Sequence, residues 1–386
     1  MDEPSKDMIN VAFLSLFNYE VKGLDACDLN NYLGGNSGNL LFRDCIYNML
    51  DFKNINLYDF FKINNYSETN KKKIKILFIG CANLISNNQG CIKYTQFLID
   101  VIKETENHTQ IVLISLGQQL PLDFDFNTLN EVSIAFIKLI TSRIKKILVR
   151  DPLTLKIINY YKENECDVIV TGCPSIFNNI NINQNQHLDN NLSNFLNKIN
   201  KPSDSLVKLD ILYSPQVIND KIYEKTIKLI NNLFSNCQIN VKLLIADYYS
   251  LNEENRLKYK NELFYSSVKE VFTNYKPDIV ISNRIHSGIL SLEHNFPTII
   301  VYHDSRTKLL SEVFKIPNIS YTEVENFSIS KLNELKYDSY CKNKIEISKE
   351  YIKYFNEIGV PISKFFENFD SQHTYHNYTF PKWNNR

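Results

Sequence analysis

Arg284 and His286 stand two residues apart in the stretch SNRIHSGILSLEHN, Ser282–Asn295. A guanidinium presents a fixed fork of N–H donors that matches a carboxylate or a phosphate. An imidazole is the side chain suited to exchanging protons near neutral pH. The apolar run DIVIS, ending at Ser282, reads as a strand, and SGILSLEHN reads as a short helix with Asn295 as its C-terminal cap and Pro297 just beyond. TIIVY, Thr298–Tyr302, is the next strand. The pair therefore falls at the carboxyl-end turn of a βαβ unit. There a helix N-terminus adds unpaired N–H groups and a positive dipole end, which together suit an anion. The same dipole end favours a neutral imidazole at His286. The plainer reading is an arginine paired with a carboxylate beside an ordinary turn histidine.

A second arginine has the same local setting. In ILVRDPLTLK a strand ends at Arg150, Asp151 can cap a helix, and Pro152 suits its first position. Gly34, Gly35 and Gly38 cluster in NYLGGNSGNLLF, in a chain with only ten glycines, just before a helical pattern. Such a turn lets a ligand approach the backbone, although the spacing is neither GxGxxG nor a P-loop. VTGCPS, Val170–Ser175, ends another strand, and nothing nearby in sequence activates Cys173 as a nucleophile. After TIIVY come His303, Asp304, Arg306 and Lys308, of which one or two are expected to reach the same site.

The elements that must position these residues are short, β-branched runs alternating with helical patterns. They include Ile74–Gly80, Ile111–Gly117, Lys146–Arg150 and Asp167–Gly172, then Lys208–Ser214, Ile239–Asp247, Asp278–Ser282 and Thr298–Tyr302. That alternation predicts parallel α/β units. The length of 386 residues suits about two domains. The expected division is an N-terminal Rossmann-like domain over 1–177, an Asn-rich connection over 178–206, a C-terminal Rossmann-like domain over 207–335, and a helix and tail over 336–386. Ligands of such doubly wound sheets collect beyond the carboxyl ends of the strands, so a cleft between two of them is the expected site.

Composition narrows the function. Lys plus Arg and Asp plus Glu are both 43, so no basic surplus points to nucleic acid, and any anion site must be local. The eight cysteines include no CxxC pair, which predicts reduced thiols, no disulfide frame and no zinc site. The acidic start MDEPSKD and the short run VAFLSLF do not read as a signal peptide, and no run reaches the length of a membrane span. The expected location is the cytoplasm. Oligomeric state is not legible.

Taken in order, the Gly-Asn-x-Gly turn, RDP after a strand, TGCPS, and SNRIHSGILSLEHNFPTIIV with a following Lys resemble the polysaccharide pyruvyl transferase family, over roughly Gly34–Leu310. The resemblance implies two Rossmann-like domains facing a cleft, as in GT-B glycosyltransferases. It implies transfer of a pyruvyl ketal from phosphoenolpyruvate, a donor substrate rather than a cofactor, to a sugar or glycan acceptor, with no metal. It places Arg150, Arg284 and Lys308 on phosphoenolpyruvate and makes His286 the acid/base. Gly35, Asn36, Gly38 and Asn39 would line the cleft on the acceptor side. The family carries Asp where this chain has Asn39, and an amide cannot act as a base. GCANLIS and LGQQLP are partial matches to the family's Gly-rich turns. Two other readings stay open, namely a GT-B-type glycosyltransferase using a nucleotide sugar, and a non-catalytic member binding a glycan or a partner protein.

Overall fold

The computed structural model of the chain describes residues 8–14, 38–59, 74–105, 107–177, 184–200, 207–215, 221–245, 263–264 and 275–367. The chain divides into two compact units, each built from separate stretches. The first comprises Met1–Asn18, Ile46–Pro174 and Glu346–Arg386, and the second Tyr19–Cys45 and Ser175–Ile345. Each unit is a mixed α/β structure whose described strand pairs are parallel.

In the first unit the strands are β1 (Ile9–Leu14), β2 (Ile55–Asp59), β3 (Ile76–Gly80), β4 (Asn83–Ile85), β5 (Gln110–Ile114), β6 (Gly117–Gln118), β7 (Lys146–Val149) and β8 (Asp167–Val170). The helices described up to this point of the chain are α1 (Gly38–Met49), α2 (Gln89–Glu104), α3 (Glu131–Arg143) and α4 (Pro152–Tyr161). The main sheet runs β2-β1-β3-β5. Beyond β5, the Leu116 N–H donates to Leu148 O (3.2 Å) and the Arg150 N–H to Leu116 O (2.8 Å), which lays β7, and with it β8, alongside. Residues of β1, β3, β5 and β7 are buried in unbroken runs rather than alternately. That pattern belongs to parallel strands covered on both faces, and it explains why these strands read as continuous apolar runs. VAFLSLF, tested above only as a leader, contains part of β1, and β2 was not anticipated.

In the second unit the strands are β9 (Val207–Ser214), β10 (Cys237–Ile245), β11 (Leu263–Phe264), β12 (Ile279–Ser282), β13 (Thr298–Tyr302) and β14 (Asn318–Ser320). The sheet order is β11-β10-β9-β12-β13-β14. Counted within the unit this is 3-2-1-4-5-6, the order of the dinucleotide-binding sheet, with its topological switch between β9 and β12. Further helices are α5 (Gln184–Asn200), α6 (Lys221–Leu233), α7 (Ile285–Glu293), α8 (Ser305–Phe314), α9 (Ile329–Asn333), α10 (Asp338–Glu357) and α11 (Lys364–Glu367). Leu212, Leu244, Val280 and Leu290 pack with Cys45 in the core, flanked by Tyr275 and Phe296. α7 lies close on β13, since a Cβ at Gly288 would stand 2.2 Å from Ile300 Cδ1.

The central part of the expected Asn-rich connection is helical. Residues 184–200 form α5, with Leu188, Leu192 and Phe195 buried. Their spacing of four and three residues makes one apolar stripe on a helix. Phe195 meets Phe234 edge-on at 5.9 Å, and Asn191 donates to Asn295 O (2.7 Å). Lys198 bridges to Asp278 (2.7 Å) at the start of β12. Leu196 and Ile199 are half-buried beside them, and the asparagines in between masked the period. The expected C-terminal helix is present as α10, and residues 368–386 of the tail lie outside the described residues. Among the described residues no helix is long and apolar enough to cross a membrane.

Because Leu188 is fully buried, Leu188→Ala should destabilise the chain by roughly 2–5 kcal/mol in urea denaturation. A loss below about 0.5 kcal/mol would mean that this segment is a surface connection after all.

Candidate functional site

Four parallel strands of the first unit deliver residues to one guanidinium. Arg150 follows β7 directly and is buried, with 7% of its surface exposed. Its Nε donates to Ser115 Oγ (2.7 Å), just after β5. Its Nη1 donates to Asn83 Oδ1 (3.3 Å), at the start of β4 after β3. Its Nη2 donates to Cys173 Sγ (3.6 Å), after β8. Asp151 is indeed the N-cap of α4, with Pro152 at the first position, and it accepts from the Thr154 N–H and hydroxyl (2.8 Å each). Burial raises the Asp151 carboxyl, while those hydrogen bonds and the Arg150 charge act against the rise. Burial also pushes the Cys81 thiol up to about 12, with Arg150 again opposing.

Two backbone features make room for this arrangement. Ser115 is fully buried and holds φ 60, a left-handed conformation uncommon outside glycine. Gly117 leaves the space that the arginine stem occupies. A Cβ there would stand 2.8 Å from Arg150 Cδ and 3.1 Å from Ala82 O. Backbone strain held in place by surrounding structure is a recurrent property of ligand sites. The sequence reading found Arg150 but missed Asn83, Ser115 and Gly117. Asn83 and Gly117 sit in GCANLIS and LGQQLP, the partial matches, and Ser115 stands two residues before Gly117. The sequence reading also did not anticipate a partner for Cys173. Arg150, distant in sequence, points an N–H at its sulfur.

In the second unit the switch region carries Arg284 and His286. β12 ends at Ser282, Arg284 is the N-cap of α7, and His286 lies in its first turn. The backbone of Arg284 is clamped on both sides by one hydroxyl. Ser282 Oγ accepts from the Arg284 N–H (3.0 Å) and donates to Arg284 O (2.7 Å). Beside it, Asn283 is fully buried and ties together three strands and a helix. Its Oδ1 accepts from Tyr213 OH (2.6 Å), its Nδ2 donates to Val301 O (2.9 Å) and Thr226 Oγ1 (3.4 Å), and its N–H donates to Ser214 O (2.8 Å). Arg284 and His286 are both half-buried. Burial, then the nearby Arg306 charge, bring the Arg284 guanidinium down to about 10, with Asp304 opposing. It stays a cation at neutral pH. Asn295, at φ 67 just past the end of α7, ends the helix in the left-handed conformation expected of a cap.

The turn after β13 adds a second charged group. Asp304 caps α8, accepting from the Thr307 N–H (2.8 Å), and pairs with Arg306 (2.6 Å), with His303 Nε2 3.7 Å away. Burial alone would raise the Asp304 carboxyl, but Arg306, the Thr307 N–H and His303 together hold it below the usual carboxylate range. Lys308 lies 5.7 Å from the centre of the Tyr302 ring and 3.9 Å from Glu312. Gly38 and Asn39 open α1, while Gly34, Gly35 and Asn36 lie outside the described residues. Among the described residues no group of three or more His, Cys, Asp or Glu is placed to hold a metal ion.

Both units thus hold an arginine at the carboxyl ends of parallel strands, beside a helix N-terminus, as anion-binding α/β proteins do. A family model described as polysaccharide pyruvyl transferase matches residues 36–305, well over half of the chain, and the chain belongs to that family. No curated protein matches it. Solved structures similar to the chain include the wall teichoic acid polymerase TagF, at 13% identity over 94% of this chain and 89% of that one, with a TM-score of 0.42. Another is MnaA of S. aureus with UDP, at 11% identity over 91% and 98%, with a TM-score of 0.45. A third is the UDP-GlcNAc 2-epimerase of Methanocaldococcus jannaschii with UDP-GlcNAc and UDP, at 11% identity over 82% and 80%, with a TM-score of 0.36.

Ser115 provides a test of the Arg150 cradle. Ser115→Ala keeps the strained backbone and removes the acceptor, so it should cost roughly 1.5–3 kcal/mol in chemical denaturation. Ser115→Gly removes the same acceptor but relieves the strain, so its loss should be smaller by about 1 kcal/mol. Equal losses would show that the left-handed backbone carries no strain.

Proposed function

We propose that the chain is an enzyme that transfers the pyruvyl group of phosphoenolpyruvate to two hydroxyls of a sugar in a glycan or glycan precursor, forming a ketal. Membership of the pyruvyl transferase family supports this reading. The observation that carries it in this chain is the Arg284–His286 turn. A cationic fork and a proton-exchanging ring stand at a helix N-terminus, on a backbone locked by Ser282 and Asn283.

In the mechanism, Arg284 neutralises an anionic group of the donor. The resemblance assigns Arg150 and Lys308 to the same donor. Ser115, Asn83 and Cys173 hold the Arg150 guanidinium in place by hydrogen bonds. A proton adds to the methylene carbon, and C2 becomes electrophilic. One sugar hydroxyl attacks C2, forming a C–O bond. The second hydroxyl then forms the other C–O bond as the bond from C2 to the phosphate oxygen breaks. Of the two hydroxyl protons, one ends on the new methyl group and the other on the released phosphate. His286 is the group assigned to these transfers, since an imidazole can give and take a proton near neutral pH. Asn39 cannot take that part, because an amide does not act as a base. Gly35, Asn36, Gly38 and Asn39 are assigned to the acceptor side.

Removal of the cation tests the reading. Arg284→Ala should weaken phosphoenolpyruvate binding, measured by titration calorimetry, by at least about tenfold. The fold should survive, because the residue caps a helix through its backbone and is not part of a core. Unchanged affinity in the variant would remove Arg284 from the donor site.

A further inference from the structure

The second cation of the Arg284 site is not obvious from the sequence, where Arg306 and Lys308 both follow β13. Their surroundings differ. Lys308 lies near the Tyr302 ring and Glu312 on the face of α8. Arg306 sits in the first turn of α8, and its position follows from Asp304. β12 and β13 are adjacent and parallel, with Ser282 opposite Ile300. Strands in that relation lie about 4.8 Å apart, so the turns carrying Arg284 and Asp304–Arg306 leave the sheet side by side. The two charges sense each other, since Arg306 helps to depress the Arg284 ionisation, second only to burial.

The Asp304–Arg306 pair is also poorly matched. Arg306 Nε (3.0 Å) and Nη2 (2.6 Å) both donate to the single oxygen Oδ2, because Oδ1 is engaged by the Thr307 N–H (2.8 Å). The strong arrangement between a guanidinium and an oxyanion uses two oxygens side by side. The side chains are 30% and 26% exposed, and ion pairs in contact with water contribute little stability. A ligand with two oxygens to offer can therefore compete for this guanidinium.

We infer that Arg306 is the guanidinium of the second unit that joins Arg284 on the donor, in addition to the residues that the resemblance assigns, held on Asp304 until a small ligand bearing two anionic groups draws it away. The inference rests on the donor reading above and deepens it. A phosphate and a carboxylate on one small molecule would engage Arg284 and Arg306 together. Asp304 then acts as an internal competitor that also keeps two like charges tolerable when no ligand is bound.

Two variants break the same ion pair and separate this role from a structural one. Arg306→Gln removes the cation. Asp304→Asn removes the competitor and keeps a good helix cap. Titration calorimetry of the full chain, with phosphoenolpyruvate and separately with inorganic phosphate, should show affinity weakened about tenfold by Arg306→Gln. Asp304→Asn should tighten binding severalfold, and Arg306→Lys should restore part of what Arg306→Gln loses. Shifts in the same direction for the first two variants, or no shift in either, would overturn the assignment. If the unaltered chain binds phosphate with this opposite-signed response but ignores phosphoenolpyruvate, the donor reading fails and the role of Arg306 stands. Binding of neither compound to the unaltered chain overturns both.

Discussion

A guanidinium removed from water needs several partners held in fixed places, and parallel strands supply them in this chain. Every described strand pair is parallel, and parallel sheets are covered on both faces, so polar groups collect where the strands end. In the first unit, the ends of four strands bring Asn83, Ser115 and Cys173 around Arg150. In the second, Ser282, Asn283 and Tyr213 lock the turn that presents Arg284. The chemistry of both sites follows from this one constraint. Side chains that would be costly inside the sheet are satisfied only at its edge, and there they are held rigidly.

The second unit adds a brace at the far end of α7. Glu293, fully buried, accepts from Tyr340 OH (2.5 Å) and pairs with Lys344 (2.5 Å), both on α10. A buried carboxylate without such partners would be strongly destabilising. The helix that starts at the anion site is thereby anchored at its other end, while its middle packs on β13 through the space left at Gly288. Position is controlled along the whole length of the element that carries Arg284 and His286.

Much of this was legible in the residues. The runs ending at Gly80, Arg150, Gly172, Ser214, Ser282 and Tyr302 read as strands because burial on both faces leaves an uninterrupted apolar signal. Asp151 with Pro152, and Asn295 with Pro297, marked helix ends because capping is a local effect of a few adjacent residues. What escaped was non-local or masked by composition. α5 sets its three buried apolar residues, Leu188, Leu192 and Phe195, in an asparagine-rich run. The left-handed Ser115 has no local signature, since its conformation is imposed by neighbours from other strands. The contact of Arg150 with Cys173 joins residues 23 positions apart, and that of Arg150 with Asn83 joins residues 67 apart. No spacing rule announces such pairs. Arg306 was seen as a charge, but its relation to Asp304 and Arg284 depends on the register of β12 with β13.

The most direct measurement of the central claim is the thermal stability of the chain with phosphoenolpyruvate, with UDP-sugars and with inorganic phosphate in parallel. A ligand at about a hundred times its dissociation constant adds about 2.7 kcal/mol of stability, an easily measured rise in melting temperature. The account predicts such a rise with phosphoenolpyruvate, larger than that given by phosphate at the same concentration, because the carboxylate adds a second anionic contact. A rise with a UDP-sugar and none with phosphoenolpyruvate would contradict it and point to glycosyl transfer at the same strand ends.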